Sequence, residues 1–361
     1  MIRLRLEKRP PLPDWAKAAI PLAAVAATLL LAAAPILAAG GNLWRSYYYL
    51  FYGALGSRVN LLESCVKASP LIFTGLGVAF AFRARFWNIG AEGQLMAGAI
   101  VAGWLGIALP IPSRLLHLAV IIGAAFLAGG LWAAIPAWLK FRLRVDDVVT
   151  TLLFNYIMMH VMGALLFGPL QQPDSSWPQS PEIRATAQYP VLVARSRFHL
   201  GIPLALVAAG LVWLIHRKTV LGYESRAVGA NPVAAHFGGV PTSSVLLKTA
   251  VLSGGLAAMA GVGEVCAVQH HLLMDLSPGY GYSGIVVAML GNLHPAGVVL
   301  AALFFSAVSV GSQTMSRMTG VPSYISEVIQ GLALVVMLVA LLLTEYRVRV
   351  RRGAGTGGGH G

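Results

Sequence analysis

The chain has 361 residues, of which 57% are hydrophobic and only 11% are charged, and its formal net charge at pH 7 is +13. Soluble domains carry about 25% charged residues, so this composition excludes an ordinary soluble globular domain and indicates that lipid is the main solvent of the chain. A positive charge of this size would favour a nucleic-acid partner in a soluble protein. Here most Lys and Arg residues lie between hydrophobic segments or at the chain ends, so we interpret them as signals of membrane orientation and expect no nucleic-acid partner.

Taken in chain order, the apolar residues gather into about ten segments, most of them near the length of about 20 residues that a helix needs to cross a bilayer. Helices satisfy their own backbone polar groups in lipid. The sequence therefore predicts an all-α, polytopic transmembrane helical bundle. The predicted spans are 18–39, 61–82, 89–109, 115–138, 147–168, 200–216, 244–265, 281–291, 296–314 and 323–344. The segment 281–291 is too short to cross unaided, and it is either a short span or a re-entrant segment.

An even number of spans returns the chain to the side on which it begins. With the N and C termini both in the cytoplasm, most of the 26 Lys and Arg residues fall in cytoplasmic segments, in agreement with the positive-inside rule. We thus divide the chain into a basic cytoplasmic N-terminus (1–17), a transmembrane domain (18–344) and a tail (345–361) that is basic and then Gly-rich and flexible. The first apolar stretch is too long for the core of a signal peptide, so we expect it to be an uncleaved span.

Two connecting loops are long enough to draw attention, an external one at 169–199 and a cytoplasmic one at 217–243. Within the cytoplasmic loop, Asn231 can cap a helix, Pro232 suits the first helical position, and Gly238 or Gly239 can end the helix. A helix of about six residues is unstable in water by itself. It must rest either on the protein's own membrane domain or on a soluble partner.

A polar stretch interrupted by glycine, 88–94, lies at the start of the third predicted span and includes Glu92. Broken backbone at membrane depth is tolerated only where protein or a water-filled cavity satisfies it. Glu92 either lines a path through the membrane, as intramembrane acids often do, or completes a helix N-terminus near the cytoplasmic interface. Amides and phenols within spans either contact a polar solute or join helices. The candidate path-lining residues are Asn88, Glu92, Gln94, Asn155 and Tyr156.

The chain lacks the residues that enzymatic chemistry would require. No Gly-x-x-x-x-Gly-Lys-Ser/Thr sequence occurs, so the chain cannot hydrolyse a nucleotide alone. We find no nucleophile elbow, no cofactor motif and no zinc spacing, and we expect no catalytic residue, cofactor or metal. Glu264, His270, His271 and Asp275 are interpreted as a polar external loop. Cys65 and Cys266, the only cysteines, are interpreted as packing residues, although a disulfide stays open if both lie near the outer face.

Three motifs, in order along the chain, resemble those of a known family. The run RAVGANPVAAHFGGV (226–240) resembles the coupling-helix segment of ABC importer permeases in the branched-chain amino acid, ribose and nucleoside group. FWNIGAEGQLMAG (86–98) and TTLLFNY (150–156) resemble two motifs of its nucleoside-type and simple-sugar-type branch. The resemblance covers about residues 60 to 344. It departs from the branch at Asp146-Asp147, where Asn-Glu is more usual, and at 291–295, where an Arg commonly follows the Gly.

The resemblance implies a permease subunit in the bacterial inner membrane, paired with a second permease that is identical or paralogous. Two ABC ATPase subunits would bind the cytoplasmic loop, and a periplasmic or lipid-anchored solute-binding protein would deliver solute to the outer face near 171–199. The branch suggests a nucleoside as solute, and a simple sugar as the next choice. The ATPase-coupling residues that it implies are Glu224, Arg226, Gly229, Asn231, Pro232, Ala235 and Phe237.

Two other classes stay open from the residues themselves. A secondary transporter or channel would work without an ATPase, but such proteins usually need intramembrane charges, and beyond Glu92, Glu264 and Glu327 the spans offer few. A membrane scaffold or receptor would transport nothing. Co-purification of an ATPase subunit from mild detergent distinguishes the importer from both alternatives.

Overall fold

The computed structural model describes residues 2–8, 14–173 and 177–352, and its body is a bundle of α-helices. The elements in order are β1 (Ile2–Lys8), α1 (Asp14–Ala38), α2 (Leu43–Leu55), α3 (Arg58–Arg83), α4 (Ala91–Ala108), α5 (Arg114–Leu143), α6 (Asp147–Leu166), α7 (Gly201–Lys218), α8 (Val220–Ala230), α9 (Pro232–Phe237), α10 (Thr242–Gly263), a π-helical turn (Glu264–Gln269), α11 (Tyr280–Leu290), α12 (Pro295–Thr319), α13 (Ile325–Glu345) and β2 (Tyr346–Arg352). The predicted all-α membrane bundle is confirmed.

Each predicted span coincides with a helix. Within the described residues, 7 helices are long and apolar enough to cross a membrane, and shorter apolar helices occur at Leu22–Ala38, Tyr280–Leu290 and Ile325–Ala340. At a rise of about 1.5 Å per residue, the 11 residues of α11 extend about 16 Å, roughly half of the hydrocarbon thickness. The short predicted span 281–291 is therefore a half-length helix.

The sequence did not predict α2, which begins at the Asn42 cap and has 13 residues. Its aromatic residues and Arg45 do not form a long apolar stretch. The helix is held by packing against α12, where Gly53 lies against Gly311 and Thr314, so closely that a side chain at Gly53 would collide with both. Long-range packing of this kind leaves no local signal in the sequence.

The two ends of the described chain pair with each other. β1 and β2 form an antiparallel ribbon in which Ile2 is opposite Arg352 and Lys8 is opposite Tyr346. The ribbon places both ends on the same side of the bundle, as an even number of spans requires. The basic part of the predicted tail is thus a strand as far as Arg352, and the predicted Gly-rich end, 353–361, lies outside the described residues.

The core of the bundle is built on α10, which packs against α3, α4 and α5. The approach of α10 to α5 is close enough for Gly254 and Gly129 to meet backbone to backbone, and a Cβ on either would collide with the other. Small residues at such contacts let membrane helices pack without cavities. The short break between α3 and α4 packs against this group of four helices.

Candidate functional site

The break between α3 and α4 turns back into the bundle after Arg83. Arg85 adopts a left-handed conformation with φ of 54°, and the chain then runs inward to Asn88. The Asn88 amide donates to the Ser253 hydroxyl on α10 at 2.8 Å, and that hydroxyl donates to the Gly77 carbonyl on α3 at 2.7 Å. Gly77 lies about 9 Å from the end of α3 at the helical rise per residue. Helix α4 therefore begins inside the membrane domain.

Asn88 and Gln94 close the break with paired amide hydrogen bonds. The Asn88 amide donates to Gln94 Oε1 and the Gln94 amide donates to Asn88 Oδ1, each at 2.9 Å, while the Gly90 N–H donates to Asn88 Oδ1 at 3.0 Å. Asn88 is 0% exposed and Gln94 is 1% exposed. Because buried amides are costly unless they are hydrogen-bonded, this pairing stabilises the break. Asn88 and Gln94 therefore connect the backbone of the break to helix α4 in this structure.

Glu92 lies where the N-termini of two helices meet. It is in the first turn of α4, it is buried, and its carboxylate accepts a hydrogen bond from the Gly281 N–H at the start of α11 at 2.6 Å. The Ser277 hydroxyl is a second partner. The N-termini of helices expose unsatisfied N–H groups and a partial positive charge, which a carboxylate neutralises. Glu92 thus lies at the N-termini of both α4 and α11, within the bundle rather than near the cytoplasmic interface where one of the two expectations placed it.

This meeting point lies deep within the bundle and depends on glycine. The Thr74 hydroxyl donates to the Tyr280 carbonyl at 3.0 Å, and Thr74 is about 14 Å from the end of α3. Any Cβ at Gly281 would collide with the backbone of Ala91 and Glu92. We call Asn88, Glu92, Gln94, Asn155 and Gly281 the junction.

Asn155 connects α6 to the junction. Its Oδ1 accepts from the Gly93 N–H at 2.8 Å, and its amide donates to the Ile89 carbonyl at 2.9 Å and to the Tyr282 hydroxyl at 3.2 Å. At 3% exposure it has almost no contact with solvent or lipid. Of the two uses expected for an amide in a span, the joining of helices describes Asn155 in this structure.

Sequence reasoning missed Asp147 as a part of this region. The Asp147 carboxylate accepts from the Trp87 N–H at 2.7 Å and forms an ion pair with Lys140, whose ammonium group also donates to the Arg85 carbonyl at 2.8 Å. The pair fixes both the entry to the break and the start of α6. An acid in the first turn of a predicted span was the available signal, and it had been noted only as a departure from the family pattern.

Tyr156 differs from the other candidate path residues because it lies on the surface of the chain. It is 52% exposed, and Tyr282, on α11, is 40% exposed. His160, one helical turn beyond Tyr156, is also exposed. Polar and ionisable side chains in membrane helices usually face a partner helix or a water-filled cavity rather than lipid. We call Tyr156, His160 and Tyr282 the tyrosine face.

The cytoplasmic loop contains the short capped helix that its sequence predicts. Asn231 Oδ1 accepts from the N–H groups of Val233 and Ala234 at 3.0 and 3.1 Å, Pro232 is the first residue of α9, and Gly238 follows its end. The preceding helix, α8, was not predicted separately. We call α8 and α9 together the coupling element.

Several predicted coupling residues attach this element to the membrane domain. Ala235 packs with Val228 and Val245 in a small separate core. Gly229 lies directly against the Arg83 carbonyl at the end of α3, where a side chain would collide with it. The Arg226 guanidinium donates to the carbonyl of His216 at the end of α7. The membrane domain therefore provides the surface on which the helices rest.

The opposite side of the coupling element exposes apolar residues. Phe237 is 86% exposed and Val233, one turn before it on α9, is 63% exposed; Tyr223 on α8 is 65% exposed. Pro232 is also exposed, and Glu224 is half-buried. Val233 and Phe237 form an exposed apolar pair on one face of α9, a feature that is typical of interaction surfaces when it is part of a contiguous patch. The sequence had indicated Phe237, whereas Val233 and Tyr223 were missed.

The described part of the predicted external loop that follows residue 176 packs against the segment after α10. The N–H groups of Ser180 and Ile183 donate to the carbonyls of Leu272 and His270, each at 3.0 Å, and the Tyr189 N–H donates to the Cys266 carbonyl at 2.7 Å. Burial and the neighbouring Arg197 lower the pKa of His199 to about 4, so this histidine is neutral at pH 7.

The polar groups of the outer half form no metal site in the part of the chain that the structure describes, where no cluster of three His, Cys, Asp or Glu residues is suited to hold a metal ion. His271 is bound instead to the Ser180 carbonyl at 2.9 Å. Cys65 and Cys266 are both free thiols. The disulfide that the sequence left open is absent between these two residues.

Comparisons with known proteins identify a family of transport permeases. The family model described as "Branched-chain amino acid transport system / permease component" matches residues 60–339. The glucose ABC transporter permease protein TsgB13 of Haloferax volcanii is 32% identical over 98% of this chain and 96% of its own length. The guanosine permease protein NupP of Bacillus subtilis is 33% identical over 91% and 94%, and the nucleoside permease protein NupB of Lactococcus lactis is 34% identical over 87% and 88%. No solved structure matches the chain.

Proposed function

Because the chain belongs to the branched-chain amino acid transport system permease family, we propose that it is the membrane-spanning subunit of an ATP-driven importer for a nucleoside. Relatives named for guanosine and for nucleosides align with most of the chain and support this solute. A relative named for glucose aligns with nearly all of it, which supports a simple sugar as the second candidate. The chain supplies the path, and separate subunits hydrolyse ATP.

The observation that carries the proposal is the two-sided coupling element. One side is fixed to the membrane domain through Ala235 and Gly229, and the other side exposes Phe237 and Val233 to the cytoplasm. In the proposal an ABC ATPase subunit packs on the exposed side. A short helix held in this way passes a movement of its partner to the helices on which it rests.

The route of that movement follows from the contacts. Gly229 lies against the carbonyl of Arg83, which is the last residue of α3. The break between α3 and α4, which leads to the junction, begins at the next residue. A cavity of about 540 Å³ lies between the coupling element and this break, with Trp87 and Pro232 in its lining, and leaves room for relative movement. ATP-driven movement of the partner thus shifts a two-state equilibrium between inward and outward access.

The solute passes, in this proposal, along the tyrosine face, which a second permease subunit completes. Tyrosine rings stack on nucleobases, and an aromatic contact of this kind contributes about 1–3 kcal/mol per base. Asn88, Glu92, Gln94 and Asn155 lie behind this face and hold its helices, and they reach the path only if the junction opens. A solute-binding protein, periplasmic or lipid-anchored, docks on the external loop, and the assembly resides in the bacterial inner membrane.

Uptake of radiolabelled guanosine by cells with and without the chain tests the proposal. We expect uptake that requires the chain and cellular ATP and that unlabelled nucleosides inhibit more strongly than glucose. Inhibition by glucose alone favours the second candidate. Concentration of solute by the purified chain in liposomes without nucleotide would overturn the importer mechanism. Failure of any ATPase subunit to co-purify in mild detergent, together with no uptake, would favour a scaffold or receptor.

A further inference from the structure

A basic cavity of about 210 Å³ lies beside α8, at the cytoplasmic ends of the membrane helices α3, α7 and α12. Arg83 comes from the end of α3, Arg217 from the end of α7, and Arg226 from α8. The lining is completed by Trp213, His216, His294 and Pro295. The chain thus concentrates positive charge from distant parts of the sequence in one pocket.

The described residues provide no counter-charge for this pocket. Within them, the side-chain ion pairs are Lys140 with Asp147 and Arg197 with Glu63, and neither includes an arginine of the cavity. Arg226 bonds a backbone carbonyl, and the Arg217 guanidinium lies over the Trp213 ring at 5.5 Å from its centre. Like charges gathered without a carboxylate are unfavourable unless an anion joins them.

Two further features of the pocket point to an anion. His216 is 4% exposed and lines the cavity, yet neither of its ring nitrogens has a hydrogen-bond partner. The cavity also includes Pro295, the first residue of the 25-residue helix α12; proline has no N–H to donate, so the helix contributes the positive end of its dipole, which favours a phosphate or carboxylate. Three arginines, an unpartnered buried histidine and a helix N-terminus therefore converge on the same space.

An apolar cavity adjoins the basic one. A second cavity of about 610 Å³ shares His294 with it and runs between α1, α11 and α12. Its walls include Leu22, Leu290, Leu300 and Phe304, and the first and third of these are 74% and 68% exposed. It is thus open at its side, on a part of the bundle that faces the bilayer. A basic pocket beside an apolar groove matches the two parts of an anionic phospholipid.

We propose that the two cavities together bind one anionic phospholipid of the cytoplasmic leaflet, with its phosphate among Arg83, Arg217 and Arg226 and an acyl chain in the groove. Basic pockets between helices on the cytoplasmic side are suited to anionic head groups. The adjoining apolar groove favours a lipid over free phosphate as the source of the anion. The bound lipid joins the coupling element, through Arg226, to α3, α7 and α12.

Native mass spectrometry of the full-length chain in mild detergent tests the site, with phosphatidylglycerol and phosphatidylcholine as probes. We expect retention of phosphatidylglycerol in preference to phosphatidylcholine. Arg83→Gln with Arg217→Gln should weaken phosphatidylglycerol binding about 30-fold, since each arginine near an anionic lipid contributes about 1 kcal/mol. Arg142→Gln with Arg144→Gln removes the same charge from exposed positions at the end of α5 and should leave binding unchanged. Arg226 is kept so that lipid binding is tested independently of coupling.

A second variant tests the groove without altering any charge. Leu300→Trp fills the apolar cavity, so phosphatidylglycerol binding should fall while the basic pocket stays intact. Equal losses in both arginine double variants, or no preference between the two lipids, would overturn the proposal. Displacement of the lipid by inorganic phosphate at low concentration, with no effect of Leu300→Trp, would show that the pocket binds free phosphate instead. If the arginine variant does not fold, the Leu300→Trp result decides.

Discussion

The junction and the coupling element use polar and apolar residues in opposite ways. At the junction, Asn88, Glu92 and Asn155 lie inside a membrane bundle, and their polar groups are engaged with backbone or with one another. At the coupling element, Phe237 and Val233 lie outside the membrane and are exposed. The polar residues of the junction thus join helices, whereas the exposed apolar residues of the coupling element are those that we propose to bind an ATPase subunit. In both regions a residue type that is unusual for its surroundings indicates a role. A buried polar residue in the bundle indicates a contact between helices, and an exposed apolar residue on the coupling element indicates a contact with a partner.

The largest effect should come from the exposed side of the coupling element. Phe237→Ser removes the aromatic ring that we place in the ATPase interface, and transport should fall about 30-fold, since a central aromatic contact contributes about 2 kcal/mol. Solute uptake at matched expression measures this. Trp44→Ser, at a residue of almost equal exposure on α2, is the matched control and should leave uptake near normal. Similar losses of uptake in the two variants would contradict the proposal that Phe237 lies in a binding surface and Trp44 does not.

His199 sharpens the comparison because it is a buried polar group whose Nε2 has no partner, unlike those of the junction. Its folded pKa of about 4 lies below the value of about 6.5 in an unfolded chain. The unfolded state binds the proton more readily, so the stability present above pH 6.5 declines as the pH falls toward 4, by about 3 kcal/mol.

Thermal unfolding in detergent at pH 7.5 and pH 5 measures this decline. His199→Asn should show a smaller difference between the two pH values than the parent chain. His236→Asn, at an exposed histidine of α9, should show the parental difference. An unchanged pH dependence in His199→Asn would assign the effect to other groups.

Gly281 tests whether close approach is what holds the junction. Gly281→Ala places a Cβ against the backbone of Glu92, and we expect a loss of about 1–3 kcal/mol in unfolding free energy from overpacking. The matched change Gly263→Ala, where a Cβ meets nothing within 4 Å, should be neutral or slightly stabilising. Thermal unfolding of the two purified variants makes the comparison, and equal stabilities would contradict the packing seen at α11.

The smallest effect concerns the cap of α9. Asn231→Ala removes the acceptor for two N–H groups and should cost about 1 kcal/mol locally, which reduces transport several-fold without affecting membrane insertion. Asn231→Asp preserves a cap acceptor and should restore uptake. Combining Asn231→Ala with Arg226→Glu should abolish solute-stimulated ATPase activity in the assembled transporter. Normal stimulation in that double variant would contradict the assigned coupling role.

The sequence predicted those features that depend on residues close to one another in the chain. The spans follow from runs of apolar residues, and α9 follows from Asn231, Pro232 and Gly238, which are neighbours in the chain. The junction could not be assembled in this way, because Asn88 meets Ser253 165 residues further on and Glu92 meets Gly281 189 residues further on. Glu92 was singled out as an acid in a membrane span, but its partner was not. For Asn155, the residue type favoured helix joining and left solute contact open, and the partners Gly93 and Ile89 could not be named because they lie more than 60 residues away in the chain.

The ribbon of β1 and β2 has a consequence for biosynthesis. The first strand is synthesised before helices α1 to α13, and the second strand is synthesised after them. The edge of β1 therefore stays unpaired until α13 and β2 have been made. An unpaired strand edge favours aggregation, so the pairing of β1 with β2 covers one edge of each strand once α13 has been made.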